Sequence, residues 1–261
     1  MDINLQGKRA LVCGASRGIG RAAAFELASL GAQVTLLART ENTLRDLQAQ
    51  LPIIENAQHG YLAADFQDHE GLESKVRELL KAGPIHILVN NSGGPAGGPI
   101  LEAKPEAFLA AFKQHLISGQ ILAQLLIPGM KEEGFGRIVN VISTSVKQPI
   151  GGLGVSNTTR GAVANWAKTL ATEVASFGIT VNNVLPGSTD TERLAEIFTA
   201  RARRNNSSIE VEREKMRKIV PAGRFAAPEE IAAAIGFLAS PAAAYVNGIN
   251  FPVDGGRTKS L

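Results

Sequence analysis

The chain has 261 residues, of which 44% are hydrophobic, 20% charged and 5% aromatic. This composition is typical of a globular protein and argues against a disordered one, and the length suits one large α/β domain. The formal net charge is only +3. A nucleic-acid-binding protein needs a coherent basic face, so we expect no nucleic-acid partner.

Cys13 is the only cysteine, which excludes an internal disulfide and predicts a reducing compartment. The N-terminal residues MDINLQGKRALV lack the long apolar stretch of a signal peptide. The most apolar run, LISGQILAQLLI at 116–127, is shorter than the roughly 18 residues of a membrane span and contains Ser and Gln. It predicts a buried helix, and we expect a cytoplasmic protein with no membrane contact.

Short apolar runs, most of them rich in β-branched residues, alternate with segments of helical periodicity along the whole chain. Such runs suit strands that are covered on both faces. The predicted strands are 9–13, 33–38, 60–64, 85–90, 137–142, 179–185 and 249–253. Strict alternation of strand and helix predicts βαβ units, and therefore an α/β fold with a doubly wound parallel sheet.

A glycine-rich segment, CGASRGIGR, follows the first predicted strand, with Gly14, Gly18 and Gly20 opening a helix. Glycines at these positions permit a tight turn and close approach of the backbone to a pyrophosphate. The free amides at the start of the helix bind the anion. After the first strand of a βαβ unit, the pattern predicts a dinucleotide site.

The same segment contains the pattern G-x-S-x-G as GASRG, which is also that of a hydrolase nucleophile elbow with Ser16 as nucleophile. A hydrolase of this kind needs an acid and a late histidine, whereas the last histidine of this chain is His115. Phosphate binding is therefore the favoured role of Ser16.

The end of the second strand predicts which dinucleotide binds. An NAD site has Asp or Glu there for the ribose hydroxyls, whereas a 2′-phosphate needs arginine. This chain has Ala38 and then Arg39, and Arg17 in the glycine loop could share the phosphate. Since a charge-assisted contact is worth about 1.5–3 kcal/mol, we expect NADP(H) to be preferred over NAD(H) by about one to two orders of magnitude. The alternative is that Arg39 is an ordinary surface residue.

Two irregular regions are candidates for the walls of a substrate site. NNSGGPAGGP at 90–99 is a Gly/Pro-rich loop directly after a strand, where parallel sheets bind ligands. The region at about 188–220 is highly charged and includes RARR at 201–204. It is either the solvated face of a helix or a mobile lid over the substrate, and its arginines could hold an acidic substrate.

Several motifs together resemble those of the short-chain dehydrogenase/reductase family, over essentially the full length of the chain. They are GASRGIG at 14–20, Asp65 after the third strand, NNSG at 90–93, GRIVNVIS at 136–143, PGSTDT at 186–191 and VDGG at 253–256. The nearest type is the 3-oxoacyl-carrier-protein reductase. The resemblance implies a single-domain Rossmann fold with a seven-stranded parallel sheet and helices on both faces. It also implies a nicotinamide cofactor, a small-molecule carbonyl or alcohol substrate, and a homotetramer or homodimer.

The resemblance also assigns cofactor roles. Asp65 would bond the adenine, three residues of NNSG would border the adenosine ribose, and the PGSTDT segment would hold the nicotinamide carboxamide. With the glycine loop, the implied set is Gly14, Ser16, Arg17, Gly18, Ile19, Gly20, Arg39, Asp65, Asn90, Asn91, Gly93, Arg160, Pro186, Gly187, Thr189 and Thr191.

The catalytic positions depart from the family pattern. Ser143 matches the serine that bonds the substrate carbonyl. The family tyrosine lies thirteen residues later and its lysine four residues after that, where this chain has Ser156 and Arg160. The asparagine that anchors a proton-relay water falls at His115.

A serine hydroxyl is a far weaker acid than a tyrosine and has a shorter reach. Loss of a general acid typically costs about 10²–10⁴-fold in rate. Arg160 can bond the nicotinamide ribose, but its pKa is too high for useful proton exchange.

Two other groups are candidate acids. Lys147, four residues past Ser143, would donate the proton or polarise the carbonyl together with Ser143 and Ser156; alternatively it is a surface lysine. His115 has an ordinary pKa suited to acid–base work, but a histidine inside a helix is more often simply packed. The four histidines show no metal-ligand spacing, so we expect no metal.

The sequence therefore favours an NADP(H)-dependent oxidoreductase with a non-standard proton donor. The alternative is a cofactor-binding protein that no longer catalyses and acts as a sensor or an oligomer partner.

Overall fold

Seven parallel strands form one sheet, as the alternation of the sequence predicts. The computed structural model describes residues 1–55 and 57–260. The strands are β1 Arg9–Cys13, β2 Gln33–Ala38, β3 Gly60–Ala63, β4 Ile87–Asn90, β5 Gly136–Val141, β6 Ile179–Pro186 and β7 Asn250–Val253. Their order in the sheet is β3-β2-β1-β4-β5-β6-β7. Each predicted strand is confirmed to within two residues.

Nine α-helices are found in the described part of the chain. They are α1 Gly18–Ser29, α2 Glu41–Gln48, α3 His69–Leu80, α4 Pro105–Phe112, α5 Ser118–Glu132, α6 Gly154–Val174, α7 Glu192–Arg204, α8 Ile209–Lys218 and α9 Pro228–Ala239. A π-helical turn at Lys113–Ile117 joins α4 to α5. The segment at 116–127 is helical, as predicted, but it buries only one face: Leu122 and Leu126 are in the core while Ile117 is exposed.

The sheet separates two hydrophobic cores. Alternate residues of β1 show why: Ala10 and Val12 pack into the core that includes α1, α2 and α9, whereas Leu11 and Cys13 pack into the core that includes α3, α5 and α6. Side chains of a strand alternate between faces, so near-continuous apolar strands require cover on both sides. The prediction of a single-domain, doubly wound Rossmann fold is confirmed.

The strand order changes direction at β1. Strands β2 and β3 are added on one side of β1, and β4 to β7 on the other, so that β1 and β4 are neighbours. In open parallel sheets such a switch point opens a crevice beyond the carboxyl ends of the strands, where ligands bind. Asn91, directly after β4, donates from Nδ2 to the carbonyl oxygens of Cys13 and Gly14 at 3.3 and 3.4 Å. This contact ties the glycine loop to the loop that follows β4.

A row of asparagines crosses the sheet beneath this crevice. Asn90 donates to Asn140, Asn140 to Asn183 and Asn183 to Asn250. In each bond the side-chain amide nitrogen and oxygen are 2.9 Å apart. The four residues are in register on neighbouring strands. Because buried polar groups are costly when unpaired, the row favours one pairing register for β4 to β7.

The charged region at about 188–220 folds as α7 and α8 around a small core of its own. Leu194, Phe198, Met216 and Phe225 form that core, with the two phenylalanine ring centroids 5.7 Å apart. Many charged side chains of both helices face solvent. Within residues 1–55 and 57–260, no helix has the length and apolar character needed to cross a membrane.

Candidate active site

The glycine loop between β1 and α1 packs so closely against its neighbours that it has no room for side chains at two of its glycines. Gly14 has φ +60°, and a Cβ built on it would lie 2.7 Å from the Asn91 carbonyl oxygen. A Cβ on Gly20 would collide with the Gly14 carbonyl oxygen. The first turn of α1 has no side-chain cap, so its amides face the loop as free hydrogen-bond donors.

The two arginines expected to share a phosphate have different surroundings. The Arg17 guanidinium is paired with Glu192 at 2.9 Å and Glu196 at 3.2 Å, both on α7. Arg39 is exposed directly after β2 and has no ion-pair partner among the residues that the structure describes. Arg39 is therefore the arginine that is free to meet an incoming phosphate.

Most of the other residues expected to contact the cofactor lie at the ends of three strands, β3, β4 and β6. Asp65 is exposed after β3 and accepts a bond from the Gln67 amide. The Gly93 carbonyl, after β4, accepts from Gln114 at 2.9 Å. Thr191, after β6, caps α7 by accepting from the Leu194 amide at 3.3 Å.

A large cavity of about 580 Å³ lies beyond the carboxyl ends of β5 and β6. It brings together many of the residues that the motifs single out, namely Ile19, Ser143, Pro186, Gly187, Thr189 and Thr191. Apolar side chains of α7 and α8 and the 150–153 loop form part of its wall, together with the charged residues Arg193, Glu196, Arg201, Arg204 and Arg257. Cavities of about 300–1,000 Å³ are typical of small-molecule sites.

Arg160 is buried and is not among the residues that line this large cavity. Its Nη1 donates to the Val141 carbonyl oxygen at 2.8 Å, at the end of β5. Burial lowers the pKa of Arg160 to about 10, which leaves the guanidinium charged at neutral pH. No described carboxylate is paired with it. A buried positive charge therefore lies at the carboxyl end of β5.

His115 lies in the π-helical turn and faces Arg160 across a small cavity of about 20 Å³, enough for one water molecule. Its Nδ1 is 2.7 Å from the Ser92 hydroxyl, and its buried Nε2 has no partner among the described residues. Burial, and next the charge of Arg160, lower the pKa of His115 to about 3. The imidazole is therefore neutral in the physiological range and acts there as a hydrogen-bonding group.

This buried neutral histidine is expected to make the fold sensitive to acid. Below its unfolded pKa of 6.5 the unfolded chain binds the proton first, so stability falls as pH drops from about 6.5 towards 3. We expect a contribution of about 1 kcal/mol per pH unit, which His115→Asn should remove. Urea unfolding of both proteins between pH 4 and pH 7 measures it, and parallel stability curves would contradict the assignment.

The remaining predicted catalytic residues lie near the same strand end. Ser143 borders the large cavity, and its Oγ accepts from the Ser145 amide at 3.1 Å. Lys147 ends the 3-10 turn that follows and is half-buried. Ser156 lies in the first turn of α6, which packs against that 3-10 turn. Neither Lys147 nor Ser156 borders a cavity described for residues 1–55 and 57–260.

Sequence reasoning missed two residues at the site, Ser92 and Arg257. Ser92 bonds His115, and its place inside NNSG was the available signal. Arg257 borders the large cavity from just beyond VDGG, where no motif singled it out. Among the described residues, no three His, Cys, Asp or Glu side chains are grouped so as to hold a metal ion.

Comparison with known proteins agrees with this geometry. A family model described as enoyl-(acyl carrier protein) reductase matches residues 14–258. The chain is 35% identical to the 3-oxoacyl-(acyl-carrier-protein) reductase of Vibrio cholerae, over 97% of this chain and 98% of that protein. It is 34% identical to the L-xylulose reductase of Mesocricetus auratus, over 98% of each.

Among solved structures, the L-sorbose reductase of Gluconobacter frateurii, complexed with NADPH and L-sorbose, superposes with a TM-score of 0.92. It is 32% identical and is matched over 100% of both chains. The glycine loop at the switch point, the strand-end motifs and these full-length matches together show that the chain belongs to the short-chain dehydrogenase/reductase family.

Proposed function

We propose that this protein is an NADP(H)-dependent oxidoreductase that interconverts a carbonyl and an alcohol, with a proton donor other than the family tyrosine. The observation that carries the proposal is the shared cavity, which joins Ser143 to the PGSTDT segment and to Ile19 of the glycine loop. The relatives named above include reductases of ketones, and one structure contains NADPH.

The residues of the crevice fit a phosphorylated dinucleotide. A Cβ on Gly14 or Gly20 would collide with Asn91 or with the Gly14 carbonyl, so these glycines allow the tight turn and close packing that a pyrophosphate-binding loop needs. Arg39 has no described acidic partner and would hold a 2′-phosphate. Asp65 and the NNSG residues would hold the adenosine half, and the residues after β6 the nicotinamide half. When bound, the cofactor supplies or accepts the hydride.

The chain's own residues account for binding, orientation and charge. Ser143 hydrogen-bonds the substrate carbonyl from the end of β5. Arg160 keeps a fixed positive charge near the ribose, and burial, with a further contribution from that charge, lowers the pKa of His115 and keeps the imidazole neutral. Lys147 follows on the same loop and delivers the proton to the alkoxide, with Ser156 at the start of α6 as the second hydroxyl of the site.

The coenzyme preference is testable at Arg39. Arg39→Gln should lower the ratio of kcat/KM for NADPH over NADH by about tenfold or more, because one charge-assisted phosphate contact of about 1.5–3 kcal/mol is lost. Arg45→Gln on α2 is the matched control, since Arg45 is paired with Glu41. An unchanged ratio in Arg39→Gln would assign the 2′-phosphate to another group.

The proton donor is testable at Lys147. Lys147→Ala should lower kcat/KM by at least about tenfold, in keeping with the contribution of a general acid. Lys147→Arg should not restore the rate, because arginine keeps the charge but does not release its proton. Lys131→Ala, at the opposite end of the sheet, is the control. A loss of less than about threefold in Lys147→Ala would remove Lys147 from the mechanism.

The activity itself is tested by NADPH oxidation against ketones, diketones and β-ketoacyl thioesters. The wild type is compared with a double variant, Ser156→Tyr with Arg160→Lys, which restores the family pair. We expect the wild type to turn over and the double variant to be no faster. Turnover by the double variant alone would show a protein that binds the cofactor without catalysis, and would favour a sensor or an oligomer partner.

We also propose that α7 and α8 act as a lid. Both helices border the large cavity through one face, and Arg17 of the glycine loop pairs with α7, so ligand binding and the position of the helix are linked.

We further propose that the protein is a cytoplasmic homo-oligomer. Around α4, Leu101 and Leu109 are 98% and 64% exposed, an apolar surface suited to a second copy of the chain. Light scattering of the purified protein measures the assembly.

A further inference from the structure

Four arginines line the large cavity, and three of them, Arg201, Arg204 and Arg257, form no ion pair within residues 1–55 and 57–260. Arg201 and Arg204 lie on the last turns of α7, and Arg257 follows β7. Arg201 and Arg257 are half-buried, whereas Arg204 is exposed. Residues that are 56 apart in the chain therefore present guanidinium groups to one space.

The three charges are not neutralised by the protein. Within residues 1–55 and 57–260 none of them forms an ion pair, and their one side-chain bond runs from Arg257 Nη1 to the Ser188 hydroxyl at 3.4 Å. After burial, the charge of Arg204 is the next cause that lowers the pKa of Arg201, and Arg257 adds to it. Like charges held this close are costly, and an anion between them would relieve the repulsion.

Nearby acids are already engaged elsewhere. Glu196 is paired with Arg17 and Arg193. Asp190 is paired with Arg213. Glu212 raises the pKa of Arg201, but its carboxylate accepts from Ser207 at 2.7 Å and from Lys215 at 3.0 Å. Arg193 also lies on the cavity wall, but it is paired there with Glu196. The other three wall arginines have no described acidic partner, which indicates a place for a ligand's charge.

We infer that Arg201, Arg204 and Arg257 bind a carboxylate or phosphate group carried by the carbonyl substrate, at the end remote from its carbonyl. The inference rests on the proposed function, because it places the carbonyl at Ser143 in the same cavity. Leu153, Leu194, Ile197 and Met216 line the space as well, so the part of the substrate between its two polar ends is apolar. The substrate class is an oxo acid or an oxo phosphate ester.

Binding to the cofactor-loaded protein tests this inference without requiring turnover. Calorimetry would compare NADP⁺-saturated wild type with Arg201→Gln and Arg257→Gln. The probes are a series of oxo acids of increasing chain length, starting from acetoacetate and levulinate, with the methyl ester of each. Dihydroxyacetone phosphate and dihydroxyacetone form the phosphate arm. Arg203→Gln is the matched control, because Arg203 lies on the same turn of α7 but borders a separate surface groove.

We expect at least one acid or phosphate to bind about tenfold or more tightly than its neutral counterpart. Arg201→Gln and Arg257→Gln should lose at least tenfold of that affinity, while Arg203→Gln keeps it, and the Kd for NADPH should stay constant in all four proteins. Equal binding of charged and neutral probes throughout both arms would overturn the inference. So would an equal loss in Arg203→Gln, or a raised Kd for NADPH in Arg201→Gln, which would assign the arginines to the cofactor.

The inference and the proposed function fail in different ways. If charged probes bind through Arg201 and Arg257 but NADPH is not consumed with any carbonyl compound, the anion site stands and the oxidoreductase function falls. If NADPH is consumed as efficiently with neutral ketones as with oxo acids of the same length, the function stands and the anion site falls.

Discussion

Replacing Arg160 with methionine is expected to lower kcat/KM for carbonyl reduction by about 10²–10³-fold, the size of loss seen when a preorganised charge or donor is removed from an active site. The guanidinium is buried, is anchored on the Val141 carbonyl at the end of β5, and has no described carboxylate beside it. Its charge has no described protein partner, and we predict that it acts on the reaction site.

The same change should leave the folded protein about as stable as the wild type. An unpaired buried charge is costly, so an apolar side chain of similar length offsets the lost hydrogen bond to Val141. A second readout is His115: without the neighbouring charge, its pKa should rise from about 3. Kinetics, thermal unfolding and NMR titration of the imidazole measure the three effects.

Arg160→Lys separates charge from geometry in this prediction. A lysine keeps the positive charge but not the planar group that reaches the Val141 carbonyl, so we expect a smaller loss of activity and a His115 pKa close to that of the wild type. If Arg160→Met lost activity only in proportion to lost folded protein, Arg160 would be structural.

The Gly20→Ala variant is expected to weaken NADPH binding by about 10–100-fold, because overpacking by one methyl group in a closely packed site costs about 1–3 kcal/mol. The added Cβ would collide with the Gly14 carbonyl oxygen and come within 2.6 Å of the Asn91 amide nitrogen. The glycine loop would have to move away from β4, and with it the amides that meet the pyrophosphate.

Gly161→Ala is the matched control for this change. Gly161 lies inside α6, and a Cβ built on it meets nothing within 4 Å. An alanine there should stabilise the helix slightly and leave coenzyme binding unchanged. Fluorescence titration with NADPH and thermal unfolding compare the two variants. If Gly20→Ala bound NADPH within twofold of the wild type, the loop would not be the phosphate site.

Local sequence patterns predicted the secondary-structure elements well, because each strand or helix depends mainly on residues that are close together in the chain. Near-continuous apolar runs predicted all seven strands, since a strand buried on both faces needs such a run. The position of Ser143 just after the predicted fifth strand agrees with its place on the cavity wall. The glycine spacing after β1 and the arginine after β2 predict a site for a phosphorylated dinucleotide.

Other predictions could not foresee how distant residues meet. Arg17 was expected at a phosphate, but in the structure it pairs with Glu192 and Glu196 of α7. His115 was considered as an acid on the basis of its ordinary pKa, which burial beside Arg160 lowers to about 3. Both outcomes depend on contacts across more than forty residues of chain, which no local pattern encodes.

The sequence by itself determined the order of strands and helices along the chain and the glycine loop, because these follow from periodicity and spacing. The resemblance to the family singled out Ser143, Ser156 and Arg160. Only the tertiary structure decided which charges remain unpaired. The sequence RARR at 201–204 does not distinguish its three arginines. In the structure, the helical turn of α7 directs Arg201 and Arg204 to the cavity and Arg203 to another groove. Arg257, near the C-terminal end of the chain, lines the same cavity. Folding places these charges together because packing, not chain order, sets their distances.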